Sequence, residues 1–396
     1  MHAPDISRTY GSTWWLGSAT SVASRRVAVA VLIATSGAVA ACGSSASSTT
    51  SVGSSGTFAS SSPVAPATPV PASFAPTTVT LVTHDSFALT KSLLTDFTAK
   101  TGITIRLISQ GDAGEVVNKA ALTAGNPEGD VLFGVDNTLL SRALTADVFD
   151  PYVSPNAATV PAALSAATQN AVTPVDYGDV CINLDDAWFT KNKLAKPATL
   201  DDLAQPAYKD LLVVENAATS SPGLAFLLAT VARYGEDGYS DYWKALRANG
   251  IKVVNGWTEA YEDTFSAGGK GNRPIVVSYA SSPPAEIVYA SDPKPTKPST
   301  SVMTDGCFRQ VEYAGVLRGT TNPLAARAVV DWLLSPAVQA DVPLSMFVDP
   351  AVPGTPLPKV FTDFAAVPVA PLTLDPAVID AKRSTWIETW DQVTLR

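Results

Sequence analysis

The feature that most constrains this chain is a repeated change from strand-like to helix-like periodicity, which begins near residue 78. Thr78–Thr83 alternates in a two-residue period and is rich in β-branched side chains, which predicts a strand. Phe87–Lys100 places Phe97 and its leucines on one face, which predicts a helix that ends at Gly102. Further strands are expected at 103–108 and 130–135, with a helix at 115–124 between them. This spacing indicates a parallel sheet with crossover helices.

The same alternation continues through the second half of the chain. Ser220–Gly223 reads Ser-Ser-Pro-Gly, which is typical of a capped helix start with proline in the first turn, and Leu224–Tyr234 supplies the apolar body. Further strands are expected at 211–214, 251–254, 275–279 and 311–317, and helices at 323–334 and 376–393. We therefore expect an α/β fold throughout the folded part.

The N-terminal part of the chain indicates export. Arg25 and Arg26 precede an apolar stretch, Val27–Val39, which is too short to span a bilayer and fits a signal peptide. The stretch is followed by Ala-Ala-Cys, which resembles a bacterial lipobox, so we expect Cys42 to be lipidated; an ordinary signal peptide with a chance cysteine is the alternative. Residues 43–76 are almost entirely Ser, Thr, Gly, Ala and Pro, which predicts a disordered tether. The protein is thus expected at the extracytoplasmic face of the cell membrane, held by its lipid.

Two cysteines, Cys181 and Cys307, remain beyond Cys42. In an oxidising compartment such a pair predicts a disulfide, and two buried free thiols are the alternative. His84 is the one histidine beyond the signal segment, so a hydrolase built on several histidines is disfavoured. No G-x-S-x-G, H-E-x-x-H or P-loop motif occurs, and we assign no catalytic residue, metal ligand or cofactor.

The charge of the chain argues against nucleic acid as a partner. The formal net charge is −9, and no cluster of Lys and Arg offers a footprint for nucleic acid. An acidic body suits a cationic ligand, although it also serves solubility alone.

The ends of the predicted strands carry polar and aromatic residues. In open α/β sheets, ligands bind beyond the carboxyl ends of the strands, so these residues are expected to line a pocket. They lie at 84–86, 111–112, 136–137, 220–221, 257 and 279–282. For several of them a structural role is an alternative: Asp85 and Asp112 are also typical helix N-caps, and Trp257 also fits a core position. Their composition favours binding over catalysis.

Short segments in a fixed order between residues 79 and 390 carry a family resemblance. They are T-H-D-S-F at 83–87, G-V-D-N-T-L-L at 134–140, P-V-D-Y-G at 174–178, T-S-S-P-G-L at 219–224, N-G-W-T-E-A-Y at 255–261, S-Y-A-S-S-P at 278–283, W-L-L-S-P-A-V-Q at 332–339 and W-I-E-T-W at 386–390. In these segments the chain resembles the thiamine-binding proteins of bacterial ABC importers, which are type II periplasmic binding proteins.

The resemblance implies a two-lobe α/β fold whose crossing segments lie near 174–178 and 310–314. Together with the N-terminal pattern, this gives the expected division of the chain. It consists of a signal peptide at 1–42, the tether at 43–76, lobe 1 at 77–173 and 311–346, and lobe 2 at 174–310 and 347–396. The resemblance implies a monomer that is not an enzyme and that delivers thiamine to an ABC permease and ATPase.

The resemblance also implies roles for residues in the cleft between the lobes. Trp257 and Phe347 would be aromatic walls, and Tyr279 would be a wall or supply a hydroxyl group. Asp112 would face the cationic or amino part of the ligand. The expected ligand-binding set is completed by His84, Asp85, Ser220, Ser221 and Ser282. The helix that starts at Ser221 would offer free N–H groups, so a thiamine phosphate is an alternative ligand.

This chain departs from the family pattern at three positions. His84 and Ala285 replace tyrosines and Phe347 replaces a tryptophan, which reduces the aromatic area of the cleft. Weaker thiamine binding, or a preference for a related small cation or a phosphorylated form, is therefore an alternative. Two alternative functions are a ferric-iron binder of the same fold and a lipid-anchored hydrolase. Iron binders usually need adjacent tyrosines, whereas Tyr279 is followed by Ala280.

Overall fold

A ten-stranded sheet forms the centre of the part of the chain that the computed structural model describes, residues 69–165, 167–267 and 271–396. Its strands are β1 (Thr77–Thr83), β2 (Ile103–Ser109), β3 (Val131–Asp136), β4 (Phe149–Asp150), β5 (Thr173–Asp185), β6 (Leu212–Glu215), β7 (Lys252–Val254), β8 (Ile275–Tyr279), β9 (Thr300–Leu317) and β10 (Asp349–Pro350). The main order is β2-β1-β3-β9-β5-β8-β6-β7, with β10 on β5 and β4 on β9.

Helices cover the sheet between these strands. They are α1 (Lys91–Thr101), α2 (Ala113–Leu122), α3 (Leu140–Thr145), α4 (Ala162–Ser165), α5 (Asp186–Asn192), α6 (Leu200–Leu203), α7 (Ser221–Ala248), α8 (Pro283–Val288), α9 (Pro323–Leu333), α10 (Pro336–Ser345), α11 (Lys359–Phe364) and α12 (Pro376–Thr394). Short 3-10 helices span Pro155–Thr159 and Pro206–Tyr208, and a π-helix spans Glu259–Thr264. No helix in the described ranges is long and apolar enough to cross a bilayer.

Two groups of parallel strands are joined by one long antiparallel pair. Strand β1 is parallel to β2 and β3, and β6 is parallel to β7 and β8. Strands β5 and β9, of 13 and 18 residues, pair with each other and run from one group to the other. Near their crossing, Asp176 lies opposite Glu312 and Gly178 opposite Gln310. This is the predicted two-lobe type II fold, and the crossing pairs fall where crossing segments were expected.

The exact division into lobes remains a prediction, because the described residues from 69 onward belong to one compact unit. The signal peptide, Cys42 and the predicted tether up to residue 68 lie outside the described residues. The end of the tether prediction needs correction. The Phe74 backbone N–H donates a 2.7 Å hydrogen bond to the Thr101 carbonyl, and the backbone of Phe74 lies against Gly102. The folded part therefore begins before residue 77.

Two helix boundaries differ from the sequence prediction for identifiable reasons. Helix α1 begins at Lys91 rather than Phe87, because the Thr90 backbone N–H and hydroxyl both donate to Asp341, at 2.8 and 2.6 Å. The predicted body over 224–234 ends where Gly235 leaves the helical region, with φ of 73°, but helical structure resumes and continues to Ala248.

The disulfide and the terminal tryptophans contribute to stability. Cys181 and Cys307 form the expected disulfide, which joins β5 to β9 beside Ala280. Trp390 is fully buried and meets Trp243 of α7 edge to face, with ring centroids 5.6 Å apart. Trp386 is also buried, so both tryptophans of α12 pack in the core, as their helical spacing predicts.

Candidate functional site

Asp112 is the residue that ties the predicted site together. It follows β2 and caps α2, with Oδ1 accepting a 2.6 Å hydrogen bond from the Ala113 N–H. The same oxygen accepts from the Ser221 N–H at 3.2 Å, and Oδ2 accepts from the Trp257 N–H at 2.9 Å. The N-cap role and the site role predicted for Asp112 are therefore compatible, because one carboxylate reaches α2, α7 and the loop after β7.

Burial sets the electrostatic state of Asp112. Its exposed fraction is 9%. Desolvation raises the pKa of this carboxyl, and hydrogen bonds from Trp257 and Ser221 act in the opposite direction. The group thus has a raised pKa but keeps donors that stabilise its charge.

The first N–H groups of α7 differ from the expectation, and they matter for whether this helix start could bind a phosphate. The Ser220 side chain accepts from the Gly223 N–H at 3.4 Å, and the Ser220 carbonyl accepts from the Leu224 N–H at 2.9 Å. Ser221 gives its N–H to Asp112, and Pro222 has none to give. The prediction of free N–H groups for a phosphate at this helix start is therefore wrong.

A chain of side-chain hydrogen bonds runs from Asp136 to Tyr279. The Ser221 hydroxyl donates to Asp136, and the Gln310 amide donates to Ser221. The Tyr279 hydroxyl donates to the Gln310 carbonyl oxygen at 2.7 Å. Burial raises the pKa of Asp136 to about 6, against the hydrogen bonds from Ser221 and Thr138. This chain links β3, α7, β9 and β8 through one continuous network.

His84 lies against an acidic group of the crossing strands. Its Nε2 is 3.2 Å from Glu312, and Asp176 is the cross-strand neighbour of Glu312. Gly134 makes room for the ring, because a side chain there would collide with His84. The ligand-binding role predicted for His84 stays a prediction, and its contact with Glu312 was not expected from the sequence.

The protonation states of this group follow from the contacts. Burial opposes the charge on His84, but Glu312, Asp112 and Asp85 together outweigh burial and raise the histidine pKa. Burial likewise opposes the charge on Glu312, yet His84 lowers its pKa. Burial, and next Glu312, raises the pKa of Asp176 well above its usual range. The arrangement therefore favours the protonated form of Asp176 and the ionised form of Glu312.

Trp257 forms an aromatic platform. Its indole N–H donates to Ser278 at 2.9 Å, and Ser278 is hydrogen bonded to Ser282 at 2.9 Å. Its ring stacks on Tyr261, with centroids 5.1 Å apart and planes 13° apart. The side chain is only partly buried. Stacking on Tyr261 and the hydrogen bond to Ser278 thus hold the Trp257 ring in place, which a residue that stacks on a ligand requires.

The remaining predicted residues lie at the edge of this network. The Asp85 N–H donates to the Gly111 carbonyl at 2.8 Å, and Ser86 lies 3.4 Å from Thr258 between their hydroxyl oxygens. Phe347 has a φ of 57°, and its carbonyl accepts from Ser281 at 2.6 Å. Its ring meets Tyr289 at 5.4 Å. These contacts place Phe347 beside the Tyr279–Ser282 segment.

Three residues of the site were missed in the sequence: Asp176, Gln310 and Glu312. Each is buried inside a long crossing strand, with exposed fractions of 0%, 1% and 8%. The signal that was available is an acid within an apolar strand, in P-V-D-Y-G and V-E-Y-A-G. A buried charged residue is rare unless it is paired or functional.

The described ranges contain no group of three His, Cys, Asp or Glu side chains arranged to hold a metal ion. A surface depression of about 360 Å³ lies elsewhere, along α5 and the residues that follow it as far as Lys196. No predicted site residue lines it, so we place the candidate site at the Asp112–Trp257 network.

Comparison with known proteins gives consistent results. A family model described as bacterial extracellular solute-binding protein matches residues 126–365. The chain is 29% identical to the thiamine-binding periplasmic protein of Escherichia coli (strain K12), over 82% of this chain and 95% of that protein. A solved periplasmic thiamin binding protein superposes with a TM-score of 0.71 at 28% identity, covering 81% of this chain and 96% of the other. A ferric binding protein from Campylobacter jejuni shares the fold, with a TM-score of 0.65 at 16% identity, over 80% of this chain and 99% of the other.

Proposed function

We propose, because this chain belongs to the bacterial extracellular solute-binding proteins, that it captures thiamine in the cleft between its two lobes. The family places the protein outside the cytoplasm as a substrate-binding component of ABC transport and not as an enzyme. The ligand, the lipid anchor and the delivery step are the proposed parts.

The observation that carries the proposal is the pairing of a buried carboxylate with an aromatic platform. Asp112 accepts a hydrogen bond from the backbone N–H of Trp257, so the carboxylate lies next to the residue that carries the indole ring. Thiamine combines a permanently cationic thiazolium with a flat aminopyrimidine. An aromatic face attracts a cation and stacks on a flat ring, each worth roughly 0.5–2 kcal/mol. The two features together match both halves of this ligand.

The acidic groups around this loop support a cationic guest. The buried acids Asp112, Asp136, Asp176 and Glu312 all interact electrostatically with Tyr279, and His84 Nε2 lies 3.2 Å from Glu312. A cation that enters this environment favours ionised carboxyls, which in turn hold the cation. The similarity to thiamine-binding proteins over nearly their whole length supports the same ligand.

The anchor and the partner proteins follow from the sequence. Lipidation at Cys42 would hold the binding unit near the membrane, and the tether of small residues would let it reach a permease. An ABC permease and ATPase would take the ligand from the open cleft.

Thermal unfolding with a panel of ligands tests the proposed function. Thiamine at about 100 times its Kd should stabilise the folded state by about 2.7 kcal/mol and raise Tm. Choline, a cation without flat rings, and ferric citrate serve as controls and should give smaller shifts. A rise in Tm with ferric citrate and none with thiamine would contradict the proposal and favour the iron-binding alternative.

A further inference from the structure

We propose that Tyr289 is a positioning residue for thiamine binding, because its ring packs against Phe347 in a strained turn that α8 holds in place. This inference rests on the proposed function and adds to it a residue that the sequence did not single out. Tyr289 acts through Phe347, which is one of the predicted aromatic walls of the cleft.

Phe347 has a backbone conformation that a bulky residue rarely adopts. It directly follows Met346, the residue that ends α10, and its φ of 57° lies in the left-handed region. Its side chain is nevertheless buried. Such strain persists only where the surrounding structure enforces it, and it is concentrated at active sites and ligand clamps. The turn at Phe347 therefore depends on contacts from other elements.

These contacts come from both ends of α8. Before the helix, the buried Ser281 hydroxyl donates a 2.6 Å hydrogen bond to the Phe347 carbonyl. At its end, the Tyr289 ring lies 5.4 Å from the Phe347 ring at an angle of 61°, an edge-to-face arrangement that aromatic pairs favour. The Tyr289 hydroxyl also donates to the carbonyl of Leu344 in the last turn of α10, at 3.4 Å. The backbone and the ring of Phe347 are thus held separately.

The segment that holds the Phe347 backbone also supports the Trp257 platform. Ser281 is followed by Ser282, whose hydroxyl oxygen lies 2.9 Å from that of Ser278. Ser278 accepts the hydrogen bond from the Trp257 indole N–H. One short stretch of chain, residues 278–282, therefore connects both predicted aromatic walls.

The turn also packs against the crossing strands. Strand β10 begins two residues after Phe347, and its first residue, Asp349, pairs with Tyr177 of β5. On the same strand, a side chain at Gly178 would collide with Tyr279 and touch Val348. The residue after Phe347 and a third predicted wall thus flank one position of β5.

Tyr289 differs from the other residues of this cluster in its exposure. Its side chain is 43% exposed, so truncation to alanine opens no enclosed cavity in the core. The change instead removes the ring that restricts the Phe347 side chain. A wall that is already ordered before the ligand arrives loses less conformational entropy on binding, which raises affinity.

A calorimetric double-mutant cycle with thiamine tests the inference. We expect Tyr289→Ala to weaken binding at least fivefold in the otherwise wild-type protein. In a Phe347→Ala background the same change should weaken binding less than twofold, because no ring is left to position. Equal weakening in both backgrounds, or wild-type affinity in Tyr289→Ala, would overturn the inference and leave the proposed function intact. A wild-type protein that binds no thiamine would contradict the proposed function and this inference with it.

Two further variants identify the ring contact as the cause. Tyr289→Phe keeps the ring and should bind thiamine within twofold of the wild type; a loss as large as in Tyr289→Ala would overturn the role of the ring. Tyr234→Ala is the matched control, because Tyr234 is a partly exposed tyrosine of α7 that stacks on Tyr242 with centroids 4.5 Å apart. It should keep wild-type affinity. An equal loss in Tyr234→Ala would show that removal of any stacked surface tyrosine weakens binding, which would contradict a specific role for Tyr289.

Discussion

Asp112 Oδ2 accepts a 2.9 Å hydrogen bond from the backbone N–H of Trp257, a residue 145 positions later in the chain. Asp112 follows a strand of the first parallel group, and Trp257 follows a strand of the second. The bond therefore joins the two halves of the sheet at the place where the carboxyl ends of their strands meet. A ligand bound beside it would contact both lobes at once.

Trp257→Ala should weaken thiamine binding at least tenfold, which corresponds to about 1.4 kcal/mol. The substitution removes the ring that stacks on Tyr261 and that would face the ligand. Titration calorimetry measures the change. Trp188→Ala, on α5, is the matched control and should keep wild-type affinity. Unchanged affinity in Trp257→Ala would remove this residue from the site.

Thiamine affinity should fall as pH drops from 7.5 to 5. Burial raises the pKa of Asp136 to about 6, so its charge is lost across this range. Because binding is expected to require ionised Asp136, each pH unit below 6 should weaken thiamine affinity by up to about tenfold. Dissociation constants at pH 5, 6, 7 and 8 give the answer.

Asp349 provides a control for this pH profile. Its pKa is also raised to about 6, by burial and then by Asp179, but it lies on β10 beside Tyr177. Asp349→Asn should keep the pH dependence of binding. A flat profile in the wild type would contradict the role of Asp136.

Glu215→Gln should stabilise the protein at high pH. Burial, and next the charge of Asp112, raises the pKa of Glu215 well above its usual value. The folded state therefore binds this proton more tightly than the unfolded state, so stability falls as pH rises from about 4.5 through the folded pKa. Glutamine carries no titrating proton, so it removes this loss of folding stability at high pH. We expect a higher Tm than wild type at pH 8 and no gain at pH 4.5.

Exposed Glu388 is the matched control for this substitution. Glu388→Gln should leave Tm within experimental error at both pH values. A Tm gain in Glu215→Gln that is equal at pH 4.5 and pH 8 would show that removal of the buried charge is not the cause.

Replacement of both Cys181 and Cys307 by alanine should lower the free energy of unfolding by about 2–5 kcal/mol. The disulfide joins the two crossing strands across a separation of 126 residues, so its loss enlarges the unfolded ensemble. Urea denaturation measures the difference. Wild-type protein that has been unfolded, reduced and refolded in reductant should match the double variant. A loss below about 1 kcal/mol would mean that the bond adds little to stability.

Local sequence patterns predict the elements that are regular within themselves. The strand over 275–279 matches β8 at both ends, and the helix over 323–334 matches α9 to within one residue. Strand β5 and the first half of β9 were not predicted. Asp176, Asp179 and Arg309 interrupt their apolar pattern, and Asp179 and Arg309 pair with each other across the two strands.

The candidate site was likewise predictable only where it depends on local sequence. Loops at strand ends are predictable from the α/β pattern, and Asp112, Ser220, Ser221 and Trp257 do come together. The sequence does not reveal that the N–H groups at the start of α7 are occupied, because that depends on a carboxylate more than 100 residues away. It also does not reveal that Asp176 lies beside Glu312, because strand register is set by tertiary pairing.

The most direct test of a cation-binding cleft is a calorimetric comparison of thiamine with its neutral half, 4-amino-5-hydroxymethyl-2-methylpyrimidine, at pH 7.5. We predict saturable binding of one thiamine per chain and at least a hundredfold weaker binding of the uncharged pyrimidine, about 2.7 kcal/mol. Equal affinity for the two compounds, or no heat with thiamine, would contradict the account.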